Sequence, residues 1–113
     1  MSSLDSQVAQ IEQNIKEAAE HVATGSGLAR LFVNRDFKKV VLEGYFREES
    51  IRLVHLLADP NMQTAEKQTA IVNEMRAVGA FREYLRMVEH KASLASKSIA
   101  FDEETLAELT QGE

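Results

Sequence analysis

Cysteine and tryptophan are absent from the 113-residue chain, and proline occurs once. Without thiols, neither disulfides nor a thiolate metal cluster can hold the fold, and a reducing compartment suits it. One proline and five glycines leave few helix breakers, which favours long helices. Aromatic residues make up only 6%, so few rings are available to stack on nucleic-acid bases.

Long hydrophobic runs are also missing. No segment approaches the roughly 20 apolar residues that a bilayer-spanning helix needs. The first residues, MSSLDSQVAQIEQNIKEAAEH, lack the basic start and apolar run of a secretory signal. We therefore expect an intracellular protein with no membrane partner.

The net charge of −5 is unevenly distributed along the chain. Residues 1–29 carry −3, residues 30–100 carry +3 and residues 101–113 carry −5. An acidic chain disfavours nonspecific binding to DNA. A mildly basic middle between acidic ends is compatible with pairing between partners.

Apolar residues recur at intervals of three and four near the N-terminus, which is the spacing of a coiled-coil seam. They are Leu4, Val8, Ile11, Ile15, Ala18 and Val22. Such a stripe must be buried against something, because an isolated amphipathic helix is marginal in water. Packing on the rest of the chain and packing on another copy are both open.

Thr24-Gly25-Ser26-Gly27 interrupts this pattern and predicts a helix end or a hinge. One continuous helix through residue 33 is the alternative, because Ala29 and Phe32 keep the phase of the seam. The cluster matches neither GxGxxG nor a P-loop, so a phosphate-binding loop is disfavoured.

Asn34-Arg35-Asp36 predicts the start of a second helix, and Asp59-Pro60-Asn61 predicts its end. Gly44 lies inside this helix, which predicts close backbone contact with a neighbouring helix. The predicted apolar face comprises Phe37, Val40, Val41, Gly44, Tyr45, Ile51, Val54, Leu57 and Ala58.

Thr64 is the predicted N-cap of a third helix, which extends from about residue 65 to residue 99. Its seam comprises Ile71, Val78, Phe81, Leu85, Val88, Ala92, Ala95 and Ile99. The small residues Ala92 and Ala95 predict close contact with either the first helix or a second subunit. Asp102 is the predicted cap of a short acidic final helix.

The predicted fold is all-α, with an antiparallel helical hairpin of residues 36–58 against 65–99. The N-terminal amphipathic helix packs beside it or completes a helical bundle by oligomerisation. We divide the chain into three parts. They are a helix with a Gly-Ser-Gly hinge (residues 1–33), the hairpin (residues 34–101) and an acidic tail (residues 102–113).

Residues with the spacing of a catalytic or metal site do not stand out. His21, His55 and His90 fall on three different predicted helices, and no HxxxH, HExxH or ExxH pair occurs. GxSxG is missing, and without cysteine no thiol nucleophile exists. We expect no catalytic residues, no metal and no cofactor.

The candidate interaction residues lie on the apolar seams of the first and third predicted helices. They are Val8, Ile11, Ile15, Val22, Phe81, Leu85, Val88, Ala92 and Ala95. A basic surface for nucleic-acid phosphates is a second candidate, comprising Arg35, Lys38, Lys39, Arg76, Arg82, Arg86 and Lys91. Interleaved acidic residues, such as Asp36, Glu83 and Glu89, weigh against it.

The stretch NRDFKKVVLEGYFREESIRLVHLLADPNMQT, followed by AVGAFREYLRMVEH, resembles short helical proteins encoded in the structural and assembly gene regions of tailed bacteriophages. The resemblance covers about residues 25–105 and contains no chemical motif. It implies a small virion-associated or assembly-accessory protein, located in the cytoplasm of the host cell and in the virion.

We therefore expect a non-enzymatic helical protein that self-associates and docks on a larger complex. Its expected partners are other copies of the chain, in a homo-oligomer, and/or a phage structural protein. One alternative is a packaging or regulatory subunit that contacts nucleic acid through the basic residues of the third helix. Another is a host-directed inhibitor whose acidic tail imitates nucleic acid.

Overall fold

The computed structural model describes residues 3–112, and every regular element among them is helical. The elements are α1 (Ser3–Phe32), α2 (Arg35–Phe37), a π-helix (Lys38–Glu49), α3 (Ser50–Ala58), a 3-10 helix (Pro60–Met62) and α4 (Ala65–Gln111). The all-α prediction is confirmed. α2, the π-helix and α3 follow one another without a break and form the second predicted helix.

α1 continues through the glycine cluster, so the continuous alternative describes this segment and the hinge does not. No residue in the described backbone has positive φ, including Gly25. After this point Leu28 is buried in place of Ala29, which is exposed, whereas Phe32 is half-buried as the seam predicts. The expectation that Ala29 continues the seam is wrong.

The helix boundaries predicted at Asn34, Asp59 and Thr64 are confirmed. Asn34 begins α2, where its Oδ1 accepts a hydrogen bond of 2.9 Å from the backbone N–H of Phe37. Thr64 Oγ1 likewise accepts from the N–H of Lys67 at 3.2 Å. Asp59 leaves helical geometry before the proline, with φ −65° and ψ 124°, as expected for a residue that precedes proline.

The π-helix overturns the predicted apolar face of this segment. Its hydrogen bonds close wider turns than those of an α-helix, so a 3.6-residue period cannot be extended across residues 38–49. Leu53, which the predicted face omits, is fully buried. Val40, Ile51 and Val54 of the predicted face are 67%, 49% and 52% exposed. Ala58 is exposed as well, whereas the other members of the face are half-buried, namely Phe37, Val41, Gly44, Tyr45 and Leu57.

Gly44 also has a different role from the one predicted. The nearest atom to a Cβ at this position would be the backbone oxygen of Lys39, 3.1 Å away and in the same helical run. A neighbouring helix does not approach within 4 Å of this Cβ position. The expected close helix–helix contact is therefore wrong, and the crowding comes from the π-helix itself.

The chain divides into two compact units, and the second of them, Ala29–Arg86, contains a helical hairpin. Leu53 of α3 packs with Ile71 and Val78 of α4 at its centre. Tyr45, Phe46, Leu56, Leu57, Met62 and Met75 pack around these three side chains. The predicted antiparallel hairpin is present here, formed with the N-terminal half of α4 alone.

The first unit combines Met1–Leu28 with Met87–Glu113, so within residues 3–28 and 87–112 it contains α1 and the C-terminal half of α4. Gly25 lies against Ala92, and Ser3 and Ile11 lie near Thr105 and Leu109. The two helices therefore run antiparallel, and α1 packs in cis.

α4 extends to Gln111, so the predicted helix end near Ile99 is wrong. Asp102 lies inside this helix and is not a cap. The apolar spacing continues past residue 99 to Leu106 and Leu109, both half-buried. Glu103, Glu104 and Glu108, which suggested a separate tail, are therefore on the solvent side of a helix that still has an apolar seam.

Candidate interaction surface

The predicted interaction residues of the first unit lie mainly between α1 and α4. Val8, Ile11, Ile15 and Val22 are half-buried on α1, and Val88 and Ala92 are half-buried on α4. Ala95 is buried, with 6% exposure. The seams that we predicted as interaction surfaces therefore contribute to packing within the chain.

The remaining two predicted residues belong to the second unit. Leu85 is buried. The Phe81 ring lies 5.4 Å from the ring of Phe46 and 6.2 Å from that of Tyr45, centroid to centroid. These separations are typical of aromatic pairs in protein cores, so Phe81 also contributes to the hairpin, although 37% of it is exposed.

Gly25 and Ala92 set the closest approach between α1 and α4. A Cβ placed on Gly25 would overlap the Cβ of Ala92. Glycine on one helix and alanine on the other let two backbones come close together, as small residues do at helix contacts generally. The glycine that suggested a hinge is thus a packing residue within a helix.

Three large apolar side chains of α4 lie beside this seam and are not covered. Met87, Leu94 and Phe101 are 43%, 52% and 69% exposed. Each directly precedes a seam residue (Val88, Ala95 or Asp102), which places it about 100° around the helix from that residue. We call Met87, Leu94 and Phe101 the outer stripe.

The outer stripe has a regular geometry. Its members are seven residues apart, a spacing that drifts only about 20° per repeat around an α-helix. From Met87 to Phe101 the stripe extends about 21 Å along the helix axis, at about 1.5 Å per residue. A single seam was predicted for α4, so the stripe was not predicted, although the seven-residue period of the three residues was a usable signal.

The polar residues around the outer stripe change sign along the helix. His90, Lys91, Lys97 and Ser98 are exposed beside Leu94. After Phe101 come Glu103, Glu104 and Glu108, all exposed, and the last turn of α4 has no basic residue. The middle of the uncovered stripe therefore has lysines beside it, and an acidic stretch follows its C-terminal end.

A groove of about 550 Å³ lies between the start of α1 and the end of α4. Ser3, Ser6, Gln7, Gln10, Ile11, Thr105 and Leu109 line it. Among the described residues, its lining combines two apolar side chains with hydroxyl and amide groups and contains no ionisable side chain. The second unit has a smaller groove of about 250 Å³ that includes one ionisable residue, Arg76.

One polar cluster on the surface of the second unit joins Arg52 to two carboxylates. Arg52 donates two hydrogen bonds to the Glu49 carboxylate, one from Nε at 2.9 Å and one from Nη2. Arg52 Nη2 also lies 3.9 Å from Glu74 of α4. The hydrogen bond from Arg52 lowers the pKa of Glu49, and the same pairing raises that of Arg52.

The other polar candidates are spread over the surface. Arg35, Lys38, Lys39, Arg76, Arg82, Arg86 and Lys91 are all exposed, and Arg86 lies 3.4 Å from Glu83. His21, His55 and His90 are exposed on α1, α3 and α4. Within residues 3–112 no three histidine or carboxylate side chains are grouped as metal ligands.

Comparison with protein-family models, with curated proteins and with solved structures finds no match to this chain. Across the described residues, no helix is both long enough and apolar enough to cross a membrane. The outer stripe therefore has to be interpreted from its own chemistry.

Proposed function

We propose that this chain is a small non-catalytic helical protein that self-associates and docks on a larger complex, as part of a phage virion or of its assembly. It acts in the cytoplasm of the host cell and in the particle. Its partners are a second copy of itself and a phage structural protein.

The observation that carries the proposal is the outer stripe. Met87, Leu94 and Phe101 expose large apolar surfaces on one face of a regular helix. Large apolar side chains exposed along one helix face are a feature of protein–protein contacts, and a helix face with apolar residues every seven positions suits another helix. The phage assignment is supported by the resemblance of residues 25–105 alone.

Sedimentation velocity tests self-association. As the protein concentration rises from about 1 to 100 µM, we expect the mean mass to rise from that of a monomer towards that of a dimer, because burial of apolar surface drives association by mass action. A monomer at every concentration would contradict the self-association part of the proposal.

Quantitative mass spectrometry of purified particles tests the assembly role. We expect this chain in virions or in assembly intermediates of the phage that encodes it, at a constant ratio to the major structural proteins. Its absence from both would leave no support for a virion or assembly role.

A further inference from the structure

We propose that the hairpin of the second unit exchanges between two forms, the observed one and an α form in which residues 35–58 make one unbroken α-helix. In the observed form Leu53 packs with Ile71 and Val78 of α4. In the α form, α3 is turned about its axis, and Ile51 and Ala58 face α4 instead. The inference goes beyond the proposed function and does not depend on self-association.

The π-helix is the segment that changes between the two forms. It comprises twelve residues, Lys38–Glu49, whereas most π-helical hydrogen bonds occur as single-turn interruptions of α-helices. Half-buried pairs recur in it every four residues, at Val41 and Leu42, Tyr45 and Phe46, and Glu49 and Ser50. This interval exceeds the 3.6 residues or so of an α-helical turn, so the wider π-helical turn is what keeps these pairs on one side.

The same sequence carries a second apolar pattern, which has the period of an α-helix. On an unbroken α-helix one face would comprise Phe37, Val40, Gly44, Ile51 and Ala58, with Glu48 and His55 between them. In the observed form Val40, Ile51 and Ala58 are exposed. The segment therefore leaves uncovered the aliphatic side chains that a regular helix would place together, and two packings of one sequence are a known basis for a conformational switch.

The change in helix type turns α3 to its other side. A π-helix advances less around its axis per residue than an α-helix, and over twelve residues the difference adds up to roughly half a turn. Ile51 and Ala58 lie about 160° and 140° around α3 from Leu53. With the start of the segment held by the Asn34 cap, conversion to the α form therefore moves Leu53 away from α4 and brings Ile51 and Ala58 towards it.

Gly44 is placed to decide between the two forms. The nearest atom to a Cβ on Gly44 would be the carbonyl oxygen of Lys39, 3.1 Å away. Lys39 lies five residues earlier, which is the separation of a π-helical hydrogen bond. A methyl group there would crowd the π-helix, whereas alanine is favoured over glycine in an α-helix. Gly44→Ala should therefore shift the population towards the α form.

Disulfide trapping within one chain tests the proposal, and there is no native cysteine to interfere. Leu53→Cys combined with either Ile71→Cys or Val78→Cys should form a disulfide under mild oxidation, because these side chains pack together in the observed form. Ile51→Cys combined with the same α4 variants should also form one, but more slowly, since residue 51 faces α4 only in the α form. Arg52→Cys is the matched control, because Arg52 is exposed and lies about 100° from both Leu53 and Ile51.

A glycine substitution tests the assigned role of the π-helix. Gly44→Ala should raise the rate of the Ile51→Cys disulfide relative to the Leu53→Cys disulfide by about fivefold, the factor that one Gly-to-Ala exchange within a helix contributes to an equilibrium constant. Gly79→Ala should leave this ratio unchanged, because Gly79 lies in α4, where an added Cβ meets nothing within 4 Å. Circular dichroism of each variant checks that it is folded.

The outcomes separate this inference from the proposed function. Only disulfides in the monomer band of a non-reducing gel are counted, so self-association of the chain does not affect the result. A Leu53→Cys disulfide with an Ile51→Cys yield no higher than that of Arg52→Cys, with and without Gly44→Ala, would show a single form and overturn the inference. An equal response to Gly44→Ala and Gly79→Ala would overturn the role of the π-helix.

Discussion

At the scale of single residues, glycines show how far context decides the effect of a side chain. Gly25 and Gly79 both lie within α-helices. A Cβ at Gly25 would overlap Ala92, whereas a Cβ at Gly79 would have no other atom within 4 Å. The sequence around each glycine does not distinguish the two, because the difference lies in the partner helix.

We expect Gly25→Ala and Gly79→Ala to change the free energy of unfolding in opposite directions. Gly79→Ala should raise it by about 1 kcal/mol, which is the gain in helix propensity. Gly25→Ala should lower it, because forced overpacking costs roughly 1–3 kcal/mol and exceeds that gain. Urea unfolding monitored by circular dichroism measures both values.

A double variant checks the cause of the loss at residue 25. Gly25→Ala combined with Ala92→Gly moves the methyl group from one helix to the other and should recover part of the lost stability. If Gly25→Ala is as stabilising as Gly79→Ala, the close contact between α1 and α4 does not exist in solution.

Glu49 offers a test of local electrostatics. Its hydrogen bonds from Arg52 lower its pKa below the ordinary value of 4.5, so its contribution to stability is fully present above pH 4.5 and is lost as pH falls through the lowered pKa. NMR titration of the side-chain carboxyl should give a midpoint below 4.5. Arg52→Gln should move the midpoint up towards 4.5, while Glu74→Gln should leave it low.

At the scale of helices, prediction succeeded where a local signal decides the structure. Asn34 and Thr64 begin helices because their side chains satisfy free backbone N–H groups, and proline ends one at Asp59. The seam of α1 was visible because its period is that of a regular α-helix. The packing of α1 against α4 of the same chain could not be predicted, since one apolar stripe can be buried against any matching helix.

Prediction from the sequence failed where the helical period changed or where the packing partner of a helix was not known. The π-helix shifted the phase between Phe37 and α3, so Leu53 was missed and Ile51 and Val54 were wrongly placed in the core. The acidic residues after Phe101 suggested a separate tail, although the seam continued beneath them. The outer stripe was missed because α4 carries two apolar faces.

Asp102 tests the continuation of the seam to the end of α4. It is half-buried at a seam position between Ile99 and Leu106. Asp102→Leu should raise the free energy of unfolding by about 1 kcal/mol, since it adds partly buried apolar surface. The neighbouring Glu103→Leu removes the same charge at an exposed position and should have little effect; an equal gain in both would point to charge relief instead of packing.

At the scale of the molecule, charge separates the two units. The described residues of the first unit carry nine acidic and three basic side chains, and residues 29–86 carry eight acidic and ten basic ones. The acidic ends and the basic middle are visible in the sequence. The location of both acidic ends in one unit is not, because it depends on the pairing of α1 with the end of α4.

This distribution gives a test of the nucleic-acid alternative. Affinity for duplex DNA depends on basic side chains that neutralise phosphates, and it is strongest at low salt. The net charge of −5 opposes approach, so we expect no gel shift of a duplex even at low ionic strength. A triple variant, Glu103→Lys, Glu104→Lys and Glu108→Lys, reverses the charge of the acidic stretch and should bind the duplex under the same conditions.

A different result would support a nucleic-acid role for α4. The native chain would bind the duplex at low salt, and Arg82→Gln together with Arg86→Gln would abolish that binding.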